Sequence, residues 1–122
     1  MADVRGDWTI EWFVTGNGER PLRAFLETLS GRNHDEAITL MELQQKWGDQ
    51  LRSPHSEPLG DGLFELRGHQ VRIFYIYRPG RRIVLLDGIV KKKGKIPSRV
   101  LDRVRQYQQE VKAMNAKAKR GP

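Results

Sequence analysis

The sequence predicts an α+β fold with the order strand, helix, helix, three-stranded antiparallel meander, C-terminal helix, the two central helices packed together on one face of the sheet. Three observations predict it. Leu63–Arg67 (LFELR) and Val71–Tyr77 (VRIFYIY) alternate side-chain types with period two and are rich in aromatic and β-branched residues, as half-buried strands are. Ile83–Val90 (IVLLDGIV) is almost continuously apolar, which places it centrally with both faces covered. Two stretches before this block and one after it instead space their apolar residues three and four apart, the helical period.

Taken in order, Thr9–Val14 (TIEWFV) reads as a first strand, closed by the turn residues Thr15-Gly16-Asn17-Gly18. Pro21 suits the first turn of a helix, where its missing N–H costs nothing. Leu22, Phe25, Leu26 and Leu29 then line one face until Gly31 stops it. Asn33 with Glu36 reads as a capping box opening a second helix from about His34 to Trp47. That helix would bury Ala37, Leu40, Leu43 and Trp47 and end at Gly48. The prolines and small polar residues of Ser53–Pro58 read as a loop. Gly68-His69 suits a type II′ hairpin turn with Gly68 at positive φ, and Pro79-Gly80 makes the next reversal. Gly94 breaks the last strand and Pro97-Ser98 opens a third helix, with Val100, Val104, Tyr107, Val111 and Met114 as its apolar stripe. The 122 residues are expected to form a single domain, with residues 1–7 and 115–122 flexible.

Composition narrows the function. The chain has no cysteine, which removes disulfides, zinc-thiolate sites and thiol nucleophiles together. No apolar run approaches the roughly 20 residues of a membrane span, and the N-terminus lacks the apolar core of a signal peptide, so the expectation is a cytoplasmic protein without a membrane partner. Charge is unevenly placed. Residues 91–122 carry 11 Lys and Arg against only Asp102 and Glu110, whereas the preceding 90 residues carry 11 against 13 acidic groups. A basic section on a nearly neutral body is the electrostatic footprint of a polyanion partner, although a solvated basic helix has the same composition.

Conventional catalysts are mostly missing. His34, His55 and His69 occur in no metal-ligand spacing, and there is neither a D-x-D carboxylate pair nor an EF-hand spacing, so no metal or cofactor is expected. No G-x-S-x-G elbow and no Walker A loop is present. What remains is a set of cations with one phenol. Arg67 ends one meander strand and Arg72 begins its partner, while Lys91, Lys92 and Lys93 leave the neighbouring strand. Such cations at converging strand ends can hold a phosphate and stabilise the charge of its transition state. The alternative for either arginine is a cross-strand ion pair with Glu65 or Asp87. Tyr75 can stack a base or move a proton, or simply fill the core. His55, in a polar loop, and His69, at a hairpin tip, are candidate general bases or surface residues. Lys91, Lys95, Arg99 and Arg103, together with His55 and His69, are candidate RNA contacts.

Gly62–Arg67 (GLFELR), Val71–Tyr77 and Ile83–Pro97 (IVLLDGIVKKKGKIP) resemble the toxins of the RelE/ParE superfamily, in particular the HigB-like, phage-derived branch; the similarity extends over about residues 8–112. The resemblance implies a RelE-like fold and the toxin of a type II toxin–antitoxin system. Its expected partners are a cognate antitoxin, in a hetero-oligomer, together with mRNA and the ribosome. The implied activity is that of an mRNA interferase, in which the RNA's own 2′-OH attacks the adjacent phosphate and leaves a 2′,3′-cyclic phosphate. Arg67, Arg72, Tyr75, Lys92 and Lys93 match the positions implied to be catalytic, and Lys91 belongs to the same basic segment. Many RelE members end in a catalytic tyrosine or histidine soon after the last strand. This chain continues into a helix instead, and Tyr107 lies on its apolar stripe, so the general base is not identified by matching. Two other readings share the fold: a ParE-like inhibitor of DNA gyrase, and a non-enzymatic nucleic-acid-binding phage protein.

Overall fold

Five strands and three α-helices carry the chain in the computed structural model, which describes residues 8–91 and 94–119, with side chains through Met114. The strands are β1 (Thr9–Trp12), β2 (Ser56–Gly60), β3 (Leu63–Arg67), β4 (Val71–Arg78) and β5 (Arg82–Val90). The helices are α1 (Pro21–Glu27), α2 (Gly31–Trp47) and α3 (Ser98–Lys119), with a short 3₁₀ turn at Gly48–Gln50. The sheet order is β1-β5-β4-β3-β2. β1 lies parallel to β5, and the other neighbours are antiparallel. The expected mixed α+β class and the meander are present, and β5 is central as its apolar run implies. The ends 1–7 and 120–122 lie outside the described residues, whereas the backbone of 115–119, expected to be flexible, continues α3 to Lys119.

The sheet is covered on both sides. Leu22 of α1 and Ala37 and Leu40 of α2 pack on Ile73, Tyr75, Ile83 and Leu85. Val100, Val104 and Val111 of α3 pack on the opposite face, against Phe74, Ile76, Val84 and Leu86. Period-two alternation sends odd residues of β4 to the first face and even ones to the second. At about 25 cal/mol per Å² of apolar surface, these two layers are the main term holding the fold. Among the described residues no helix is long and apolar enough to cross a membrane.

Several local expectations are corrected. Ser56–Gly60 is a strand, not a loop: β2 is the sheet's edge, where Pro58 can sit with no N–H to donate, and the register shifts between Pro58 and Gly60. α1 stops at Glu27, where the Thr28 hydroxyl donates to the Phe25 carbonyl at 2.6 Å, so Gly31 begins the next helix instead of ending this one. Trp47 is 42% exposed, with the Lys46 ammonium over its ring, because the buried stripe of α2 runs Ala37, Leu40, Gln44. Met114 likewise stands 52% exposed beyond the sheet, while Gln108 is buried and donates to the Asp61 carbonyl.

Gln44 is fully buried and neither of its amide atoms has a hydrogen-bond partner. A polar group so placed costs roughly 1–3 kcal/mol relative to an apolar group of similar shape. Gln44→Met is therefore expected to raise the unfolding free energy by about 1 kcal/mol, read as a higher midpoint in urea at unchanged m-value. A lower midpoint would mean that the amide is satisfied in solution.

Candidate functional site

The end of the sheet where β3 turns into β4 carries the cations. Arg67 and Arg72 are direct cross-strand neighbours, as their positions in the sequence implied. The turn itself differs from the expected type II′. Gly68 is not at positive φ; its N–H donates to the Val71 carbonyl at 2.9 Å, and His69-Gln70 form the tip. Glu36 holds this turn from α2. Its Oε2 accepts the His69 N–H at 2.9 Å, and its Oε1 accepts those of Gln70 at 2.9 Å and Val71 at 2.7 Å. This is why position 68 is glycine: a Cβ there would stand 2.6 Å from the Glu36 carboxyl carbon. Glu36 is thus spent on a hairpin 33 residues away and not on a capping box, and α2 has no side-chain cap at its start. Burial works against the charged carboxylate, but the three backbone N–H groups outweigh it and hold Glu36 below its ordinary value.

Arg72 is only 8% exposed. Its Nη1 donates to the carbonyls of Gly68 at 2.7 Å and Val71 at 3.1 Å, and its Nε lies 3.7 Å from Glu65 Oε1. Arg67 is 43% exposed, with Nη1 3.8 Å from Glu57 Oε2. Arg72 therefore has the cross-strand ion pair with Glu65 that was the alternative reading, whereas Arg67 pairs with Glu57 of β2. Burial raises the Glu65 carboxyl above its ordinary value, against the pull of Arg67, Arg72 and Lys91. Asp87 pairs elsewhere, with Arg103 Nε at 3.2 Å.

A cavity of about 660 Å³ opens between α2 and this hairpin. His55, Arg67, His69 and Arg72 line it together, joined by Arg32 from the first turn of α2. Residues from a polar loop, two strand ends and a hairpin tip thus border one cavity, together with the acidic Asp35 and Glu36. Leu40, Leu43 and Pro54 add apolar surface to the same lining. Arg32 was not singled out by sequence, and no local signal marks it: a basic residue at the start of a helix has no feature pointing across to a hairpin.

The other expected site residues are placed elsewhere. Tyr75 has no exposed surface; it faces the α1/α2 core, and its hydroxyl lies 2.5 Å from Ser56 Oγ and 3.5 Å from the Tyr77 hydroxyl. A side chain so buried cannot reach a substrate phosphate, so the expectation of proton transfer or stacking by Tyr75 is corrected to a packing role. Arg103 lines a second cavity, with Asp87 and Tyr107. Lys91 follows β5, with its N–H donated to the Gln70 carbonyl at 2.6 Å beside the hairpin. Lys95, just before α3, and Arg99, in its first turn, are exposed and do not line the cavity. Lys92 and Lys93 lie outside the described residues. The sheet face opposite α1 and α2 carries α3. Among the described residues no three His, Asp or Glu side chains converge as metal ligands would.

These features define a mixed α+β protein with a cleft at one end of its sheet, lined by arginines, histidines and two carboxylates. Residues 24–109 match the model of the family described as phage-derived protein Gp49-like (DUF891). The match spans most of the 122-residue chain, and the protein belongs to this family, which is associated with RelE-like and toxin-like proteins. No curated protein matches the chain.

Proposed function

We propose that this protein is a RelE/HigB-type toxin that inhibits translation by cutting mRNA on the ribosome, without a metal, and that a cognate antitoxin neutralises it. The observation that carries the reading is the convergence of His55, Arg67, His69 and Arg72 on one cavity. In the reaction, the 2′-oxygen of one nucleotide attacks the adjacent phosphorus and loses its proton. The bond to the 5′-oxygen breaks, that oxygen takes up a proton, and a 2′,3′-cyclic phosphate remains. Arg67, the more exposed arginine, holds the phosphate, and Arg72 adds positive potential behind it and fixes the hairpin. Two histidines in one cavity suit a reaction that needs one proton removed and another delivered. The family match supports the toxin class, and the basic approach along Lys91, Lys95 and Arg99 supports a polyanionic substrate.

Primer extension on a reporter mRNA after brief induction tests this, with translation running and with it blocked. Cuts confined to translated segments are expected, and variants with Arg67→Gln are expected to lose them. Intact message in arrested cells would transfer the weight to inhibition of DNA gyrase. Intact message with normal growth would leave a binding protein.

A further inference from the structure

We infer that the second cavity, bordered by α1, β5 and α3, binds a carboxylate carried on a short apolar body, with Arg103 and Arg20 as its partners. The inference is independent of the proposed activity. The pairing of β1 with β5 ends at Trp12 and Leu85, and just beyond it Asp87 and Gly88 line a cavity of about 510 Å³. That volume lies within the roughly 300–1,000 Å³ of small-ligand sites. Asp87 is buried and its carboxylate is spent within the fold. Its Oδ1 accepts the Gly88 N–H at 2.8 Å, and its Oδ2 accepts from Arg103 Nε at 3.2 Å. One edge of the Arg103 guanidinium is thereby fixed, while the side chain stays 44% exposed. Among the described residues its Nη groups have no partner, and neither has the Arg20 guanidinium or the Tyr107 hydroxyl. All of these donors line the same cavity.

Unused donors call for a ligand that only accepts, and an ionised carboxylate is such a group. A guanidinium meets it through two parallel N–H···O bonds, and one already oriented by Asp87 loses less freedom in doing so. Charge selects among anions. The lining sets Arg20 and Arg103 against Glu19 and Asp87, so it carries no net excess of positive charge. A doubly charged phosphate meets more repulsion from those two carboxylates than a singly charged acid does. Apolar surface completes the choice. Pro21, Ala24 and Phe25 share the lining, and Gly88 lets the Phe25 ring close on β5, where a Cβ would stand 2.5 Å from it. Hydrocarbon attached to the carboxylate gains from covering that surface, whereas an inorganic ion gains nothing.

The test is titration of the isotopically labelled full chain with benzoate, its neutral analogue benzamide and inorganic phosphate, followed by amide resonances and by thermal unfolding. Benzoate is expected to move the resonances of Ala24, Phe25, Gly88 and Arg103 and to bind about tenfold more tightly than either of the others. It should also raise the unfolding midpoint, as a ligand of the folded chain alone does. Arg20→Gln, at an exposed position, removes one cation without touching the Asp87 pair. It should weaken benzoate about tenfold and leave the midpoint of the unliganded chain unchanged. Arg103→Lys keeps a charge beside Asp87 but not the fork, and should weaken benzoate by a similar factor. Benzamide binding as tightly as benzoate, phosphate binding more tightly, or benzoate binding undiminished in both variants would overturn the site. A capped peptide with one central glutamate separates two sources of the same group. If it binds more tightly than benzoate, the carboxylate belongs to a partner chain; if more weakly, to a free organic acid. A chain that binds benzoate yet never cuts message keeps this site and loses the nuclease, and one that cuts message without binding benzoate does the reverse.

Discussion

Replacing Arg72 by alanine is expected to reduce RNA cleavage by about 10²–10³-fold and, separately, to lower the unfolding free energy by about 3 kcal/mol. The second effect follows from burial. Arg72 and Glu65 are each about 10% exposed at the side chain and 3.7 Å apart, and Glu65 is already held above its ordinary value by desolvation. Removing the guanidinium leaves that carboxylate with less to compensate it, and it also takes the side-chain donor from the Gly68 carbonyl and leaves the Val71 carbonyl with the Gly68 N–H alone. Loss of toxicity in the single variant would therefore mix chemistry with folding. The double variant Arg72→Ala, Glu65→Gln separates the two, because a neutral amide needs no counter-charge. Urea unfolding should show most of the lost stability restored, while cleavage stays at the level of the single variant. Recovery of both would make Arg72 a structural residue only, and a single variant as stable as the parent would refute the buried ion pair.

What the sequence revealed and what it hid divide along the range of the interactions. The meander was legible because strand alternation is a local pattern, and the pairing of Arg67 with Arg72 follows from two strands joined by a short turn. β2 was hidden because Pro58 and its polar neighbours carry a turn signal. Their strand geometry comes from lying beside β3, a tertiary effect that overrides propensity. Gln44 and Trp47 exchanged roles because hydrophobicity says which residue prefers the core, whereas the length and direction of α2 decide which one reaches it. Glu36 is the sharpest instance. Three residues after Asn33 it matches a capping box, yet its oxygens serve a hairpin that no window around α2 contains. Of the residues singled out by chemical type, His55, Arg67, His69 and Arg72 line one cavity, while Tyr75 is enclosed in the core against α1 and α2.

Glu36→Gln is expected to destabilise the chain by about 2 kcal/mol, less than three isolated charge-assisted hydrogen bonds would supply because the carboxylate is partly solvated. The amide has one acceptor atom, and its NH₂ would point at N–H groups that also donate. The dependence on pH distinguishes this clamp from simple packing. Burial raises the Glu36 carboxyl and the three N–H groups lower it further, so its folded value lies below the ordinary 4.5. A depressed carboxyl contributes stability that is present above the unfolded value and lost as pH falls through the folded one. The difference in unfolding free energy between the parent and Glu36→Gln should accordingly stay constant at neutral and mildly acidic pH and shrink below about pH 4.5. Taking the difference between the two chains cancels the opposite contributions of Glu65 and Asp87, whose carboxyls are raised by burial. Hydrogen exchange locates the effect: the amides of His69, Gln70 and Val71 should lose protection in Glu36→Gln, and Gly68→Ala, which forces the carboxylate away, should do the same. Unchanged exchange at those three amides would show that the hairpin holds its own shape. If protection is lost as expected, the hairpin side of the cavity depends on α2: the residue that orders the His69–Val71 backbone stands on the helix whose Leu43 also lines the cavity.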